Sequence, residues 1–100
     1  NTQKLSLILY LMKKENNVII AHELLHTVGA VDKYDLGTNQ PLYPIGYANP
    51  QQEPLFPQKK AEIMAGRIAV SDSKAEQPRE LKQVVLGEAT ATEINWLSIK

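Results

Sequence analysis

The chain has 100 residues, 43% of them apolar, with eleven Lys+Arg against eleven Asp+Glu and no cysteine. That length holds one domain, and a formal net charge of zero leaves no basic footprint for a nucleic acid. Disulfides, thiolate metal sites, a cysteine nucleophile and iron–sulfur clusters are excluded; a helix across a membrane is excluded too, since the longest apolar run, residues 7–12, is far short of the about 20 that a bilayer needs.

The chain opens at Asn1 rather than Met and reaches apolar sequence almost at once, as a fragment would. Residues 5–12 carry Leu at 5, 7, 9 and 11, with Ser6, Ile8, Tyr10 and Met12 between them. This alternation reads as a strand covered on both faces. A short buried helix competes, because Leu and Met favour helix. After the polar residues 13–15, Asn16 or Asn17 is placed to cap a helix. Residues 18–28 then read as a helix of about three turns, apolar nearly all round and therefore buried. Gly29 stops it, since glycine takes the left-handed conformation cheaply.

Residues 30–58 hold five of the six prolines, several Gly and Asn turn sites and three tyrosines. Tyr34, Tyr43, Tyr47, Leu55 and Phe56 make this an ordered, packed loop, and long ordered loops are often functional. Apolar content resumes at Ile63-Met64-Ala65-Gly66. Residues 71–79 are polar and expected at the surface. Residues 81–86 fit either a short strand or a helical turn. Residues 88–97 read as a C-terminal helix with Ala89, Ile94 and Leu97 apolar and Trp96 as anchor. No internal repeat or low-complexity tract is present.

Both histidines fall in one pentapeptide, His22-Glu23-Leu24-Leu25-His26. With this composition an H-E-x-x-H arises by chance in about 0.3% of such chains. On a helix, positions i and i+4 share one face. Two imidazoles so placed converge on one Zn²⁺ at about 2.0–2.1 Å. Glu23, rotated by about 100°, does not readily join them as a ligand but flanks the metal. There it can take a proton from a water that the metal acidifies. Without a metal, His, Glu and His on an apolar helix would be three costly polar burials.

The pattern continues to H-E-x-x-H-x-x-G-x-x-D. On an unbroken helix Asp32 would lie about 9 Å along the axis from His26, out of reach. A left-handed Gly29 turns the chain back, so that the Asp32 carboxylate approaches the same ion as a third ligand and leaves the fourth position to water. Asp35 is the competing candidate.

This extended motif resembles that of the metzincin-type zinc metalloproteases, some of which carry Asp at the last position. Ile63-Met64-Ala65-Gly66 is similar to their methionine turn. The resemblance covers about residues 22–66. It implies His22, His26 and Asp32 as ligands of one zinc ion per chain, Glu23 as general base and Met64 as the floor of the site. It implies an α+β, zincin-like fold: a buried active-site helix packed on a small sheet, truncated if an upstream segment is missing, with a long ordered loop and a C-terminal helix. Residues 1–100 would be one such catalytic domain or a fragment of one, although only 21 residues precede His22 where the family places a substantial sheet. A related zinc-protease class takes a later helical Glu, which makes Glu62 and Glu93 remoter ligand candidates. In some relatives a tyrosine near the metal binds it or donates to the developing oxyanion, which brings in Tyr34, Tyr43 and Tyr47.

The expected function is zinc-dependent hydrolysis of peptide bonds, with a peptide or protein as substrate. The alternative is a non-catalytic, zinc-stabilised binding domain derived from a protease fold. Structural zinc sites favour four protein ligands and cysteine, and Glu23 has no purpose in one.

Overall fold

The computed structural model describes residues 2–95. Trp96 and Leu97, expected to anchor the C-terminal helix, lie outside the described residues. The fold is α+β. Its elements are α1 (Thr2–Glu15), α2 (Val18–His26), β1 (Ala61–Glu62), β2 (Ile68–Ala69), β3 (Ala75–Glu76), a 3₁₀ turn (Leu81–Gln83), β4 (Val84–Val85) and α3 (Glu88–Glu93).

The first element corrects the strand expected at residues 5–12, which is the middle of α1. Its buried side chains are Leu5, Ile8 and Met12, spaced three and four apart, while Leu7 and Tyr10 face solvent. A strand would have needed the four alternating leucines on one face. Ile8 is the sole β-branched residue in the run, and Leu, Met, Lys and Glu all favour helix. Lys13 and Lys14 in the last turn complement the macrodipole.

Asn17 caps α2, its side-chain oxygen accepting from the Ile20 N–H at 3.0 Å. Neighbouring Asn16 takes φ of +48° to end α1. α2 is shorter than the expected 18–28 and less enclosed: Val18, Ala21 and Leu25 are buried, but Ile19 is 70% exposed. It packs against α1 rather than lying on a sheet. The sheets are small. β1 and β4 pair in parallel, with Ala61 opposite Val84, and β2 and β3 form an antiparallel hairpin, with Ile68 opposite Glu76. Residues 81–86 therefore contain both the turn and the strand that the sequence offered as alternatives.

Between α2 and β1 the chain is ordered with almost no regular structure. Two isolated bridges, Tyr34 with Pro41 and Tyr47 with Ala61, mark its course. The buried carboxamide of Gln58 organises its second half, accepting from the Asn49 N–H and donating to the carbonyls of Asn49 and Leu55, each at 2.8 Å. At Gly46 the backbone passes so close to Lys33 O and Leu42 that a Cβ would collide with main-chain atoms. The core joins Leu5, Ile8 and Met12 of α1, Ala21 and Leu25 of α2, then Ala30, Ile63, Met64 and Ile94.

Candidate metal centre

The site begins with how α2 ends. Ala30 N–H donates to Leu25 O and Gly29 N–H to His26 O, the paired bonds of a Schellman turn. Gly29 takes φ of +107°, where side chains with a Cβ are strained. There is little room for one as well, since an added Cβ would sit 3.2 Å from Glu93 O. This turn reverses the chain and returns Asp32 to the face of the two histidines.

Asp32 Oδ1 lies 2.8 Å from His22 Nε2 and 2.8 Å from His26 Nε2. The rings stand edge to face, 4.8 Å between centroids. Each is fixed from behind by a main-chain carbonyl: His22 Nδ1 donates to Ile63 O and His26 Nδ1 to Ala30 O, both at 2.9 Å. These bonds place the imidazole protons on Nδ1, as inferred from the network. The Nε2 lone pairs then point at each other's neighbourhood and at a carboxylate oxygen. Three acceptors gathered at hydrogen-bond distance are stable only with protons or a cation among them. Two imidazole nitrogens and a carboxylate oxygen, oriented by carbonyls, are a donor set that suits Zn²⁺. The Nε2 atoms of His22 and His26 and the carboxylate of Asp32 would hold such an ion.

Glu23 belongs to the same cluster: its carboxylate and the two rings offer atoms within 4.8 Å of one another. It is exposed, and no hydrogen bond or ion pair engages it among the described residues. His22 and Glu23 open into a cleft of about 230 Å³, whose polar wall is completed by Tyr34, Arg67 and Gln77. A larger cavity of about 460 Å³ lies between residues 44–50 and the start of α3, but it contains neither histidine. Of the two, the smaller cleft is the one that His22 and Glu23 line.

The other candidates are placed elsewhere. Asp35 is exposed and accepts from Thr38 N and Oγ1 at 2.9 and 3.0 Å, forming a turn of its own. Tyr43 and Tyr47 pack edge to face at 5.1 Å, and Tyr47 lies against Phe56, so both are loop-packing residues. Burial, aided by the charge of Asp72 and by Tyr43, holds the Tyr47 phenol above its ordinary range. Tyr34 alone of the three lines the cleft.

Glu62 and Glu93 do not approach the trio as ligands; they hold its supports. Fully buried Glu62 accepts from Met64 N (2.6 Å) and Ala65 N on one oxygen and from Gly87 N and Thr90 Oγ1 on the other. It thereby fixes the Met64 turn, whose Ile63 carbonyl orients His22. Met64 is wholly buried, and its carbonyl accepts from Lys33 N at 2.9 Å. Glu93 Oε1 accepts from Val31 N (3.0 Å) and from Lys33 Nζ (2.6 Å), bracketing Asp32 from both sides. Lys33, 1% exposed, also donates from Nζ to Val31 O. Sequence reasoning missed Lys33, since a lysine among polar residues carries no sign of burial.

Searches against protein-family models, curated proteins and solved structures return no match.

Proposed function

We propose that the protein is a metzincin-like zinc metallopeptidase, with His22, His26 and Asp32 holding one zinc ion and Glu23 as general base. The observation that carries this reading is the convergence of both Nε2 atoms on one Asp32 oxygen, with an unengaged carboxylate beside them at the mouth of a cleft. A zinc ion held there supplies a Lewis acid that polarises a carbonyl and makes water acidic near neutral pH. Glu23 takes the proton of the attacking water and passes it to the departing amine. Its exposure leaves it within reach of solvent. The carbonyls of Ile63 and Ala30 hold the rings in the ligating tautomer. Tyr34 lines the same cleft as Glu23, which supports it as the donor to a developing oxyanion.

The test is Glu23→Gln in protein loaded with zinc. Gln keeps the shape and loses the base. Zinc stoichiometry and fold should persist while peptide hydrolysis falls by about 10²–10⁴-fold. Full activity in the variant refutes the role of Glu23. Zinc bound at one per chain, with no hydrolysis of any peptide by the parent protein, favours the binding-domain alternative instead.

A further inference from the structure

We propose that Arg67 sets the specificity of the cleft by binding a carboxylate on the substrate residue next to the scissile bond. This rests on the peptidase reading above and adds to it a substrate class: peptides presenting an acidic side chain or a free C-terminal carboxylate at that position.

Arg67 lines the same cleft as His22 and Glu23 and is half-buried. Its backbone is well fixed. It follows Gly66, which leaves the Met64 turn at φ +75°, and precedes Ile68, which pairs with Glu76. No ion pair or hydrogen bond engages its side chain among the described residues. The fixed carboxylates of this half of the molecule are committed elsewhere: Asp32 to the imidazoles, Glu62 to four neutral donors, Glu93 to Lys33. Glu23 shares the cleft but makes no ion pair with Arg67.

A guanidinium that is partly withdrawn from water and unpaired is an incomplete site. Its planar fork of donors matches a carboxylate in two parallel bonds, and it is more weakly hydrated than an ammonium, so capture of an anion costs it less. Val18, Ile19 and Ala65 line the same cleft and make part of its wall apolar, and an apolar wall strengthens attraction between charges relative to open water. Gln77 adds a neutral amide to the same wall. At about 230 Å³ the cleft is smaller than a drug-sized pocket, and it suits a single side chain. The chain as a whole is neutral, so the selectivity is local and does not come from a long-range field.

The test uses the full chain loaded with zinc and four short peptide hydroxamates, in which the residue beside the hydroxamate is leucine amide, lysine amide, glutamate amide, or leucine with a free C-terminal carboxylate. Affinities are measured by calorimetry. At least one of the two carboxylate probes should bind about 10- to 100-fold more tightly than leucine amide, as expected for charge-assisted bonds. Preference for glutamate amide identifies the acidic side chain as the ligand, and preference for the free acid identifies the chain terminus. Lysine amide should bind worst. In Arg67→Ala and Arg67→Gln the carboxylate-to-amide ratio should fall to near one, with Arg67→Lys intermediate. Equal affinity for all probes, or a preference that survives both neutral substitutions, overturns the role of Arg67 and leaves the zinc site standing. Failure of all four probes to bind, or of the chain to take up zinc, refutes the peptidase reading and this proposal with it.

Discussion

Glu62 meets four neutral donors and no cation, whereas Glu93 meets the buried ammonium of Lys33 and one backbone N–H. The first carboxylate stands behind His22, through the Met64 turn; the second stands behind Asp32. A carboxylate held by three main-chain donors and one hydroxyl is fixed chiefly by shape, because a side-chain change can remove only the Thr90 donor. A carboxylate paired with lysine is fixed by charge, and both charges can be exchanged together. The two supports of one site should therefore fail in different ways.

The largest effect is expected for Glu62→Ala. It strands Met64 N, Gly87 N and Thr90 Oγ1 inside the protein. At about 1–3 kcal/mol for each of the three unsatisfied groups, a loss of about 3–9 kcal/mol is expected, a large share of the ~5–15 kcal/mol that holds a domain. Urea denaturation without zinc would measure it. A loss below about 1 kcal/mol would mean that the turn does not depend on Glu62.

Glu93→Ala comes next. It leaves the Lys33 ammonium buried with one carbonyl, a change that costs about 3–5 kcal/mol in a fully enclosed pair. The Glu93 side chain is 30% exposed, so about 2–4 kcal/mol is expected here. The double variant Lys33→Met/Glu93→Gln should recover most of that loss, because Gln still accepts from Val31 N and Met fills the lysine's space. If the double variant is no better than Glu93→Ala alone, the distinction between shape and charge collapses.

Between the braces, Asp32→Asn keeps the outline of the side chain and removes its charge. Zinc affinity should fall by about 10- to 100-fold or more, read by competition with a chelating dye. Asp35→Asn should be the mildest of the set. An Asn oxygen can still accept from Thr38 N, so zinc affinity should change by less than about twofold and stability by less than about 1 kcal/mol. If Asp35→Asn costs more zinc affinity than Asp32→Asn, the third ligand is misassigned.

The parts of this arrangement that obey local rules could be read from sequence. The Asn17 cap, the i, i+4 histidines, the Gly29 stop and the return of Asp32 all depend on residues within about a turn or two of one another. Residues 5–12 failed because the run carries two patterns at once, leucines at 5, 7, 9 and 11 with a period of two and Leu5, Ile8 and Met12 as a helical stripe; packing of α1 on α2 decides between them. The roles of Glu62 and Glu93 were hidden for another reason. Their partners lie as far as 28 and 62 positions away, and a carboxylate in sequence looks the same whether it binds a metal or a backbone. Lys33 was hidden by its type, since lysine is almost never fully buried unless paired.

That contrast in sequence distance has a kinetic side. His22 and Asp32 are ten positions apart, while the His22–Ile63 contact spans 41 and the Val31–Glu93 contact spans 62. Closing about ten residues takes on the order of 10–100 ns and costs little chain entropy. The long contacts must wait for much of the chain to collapse. A cation present during folding therefore meets a trio that assembles early, and by holding α2 to the turn after Gly29 it would shorten the search left to the rest of the chain. Zinc added before refolding should raise the refolding rate, whereas zinc added to the native protein acts only on its unfolding.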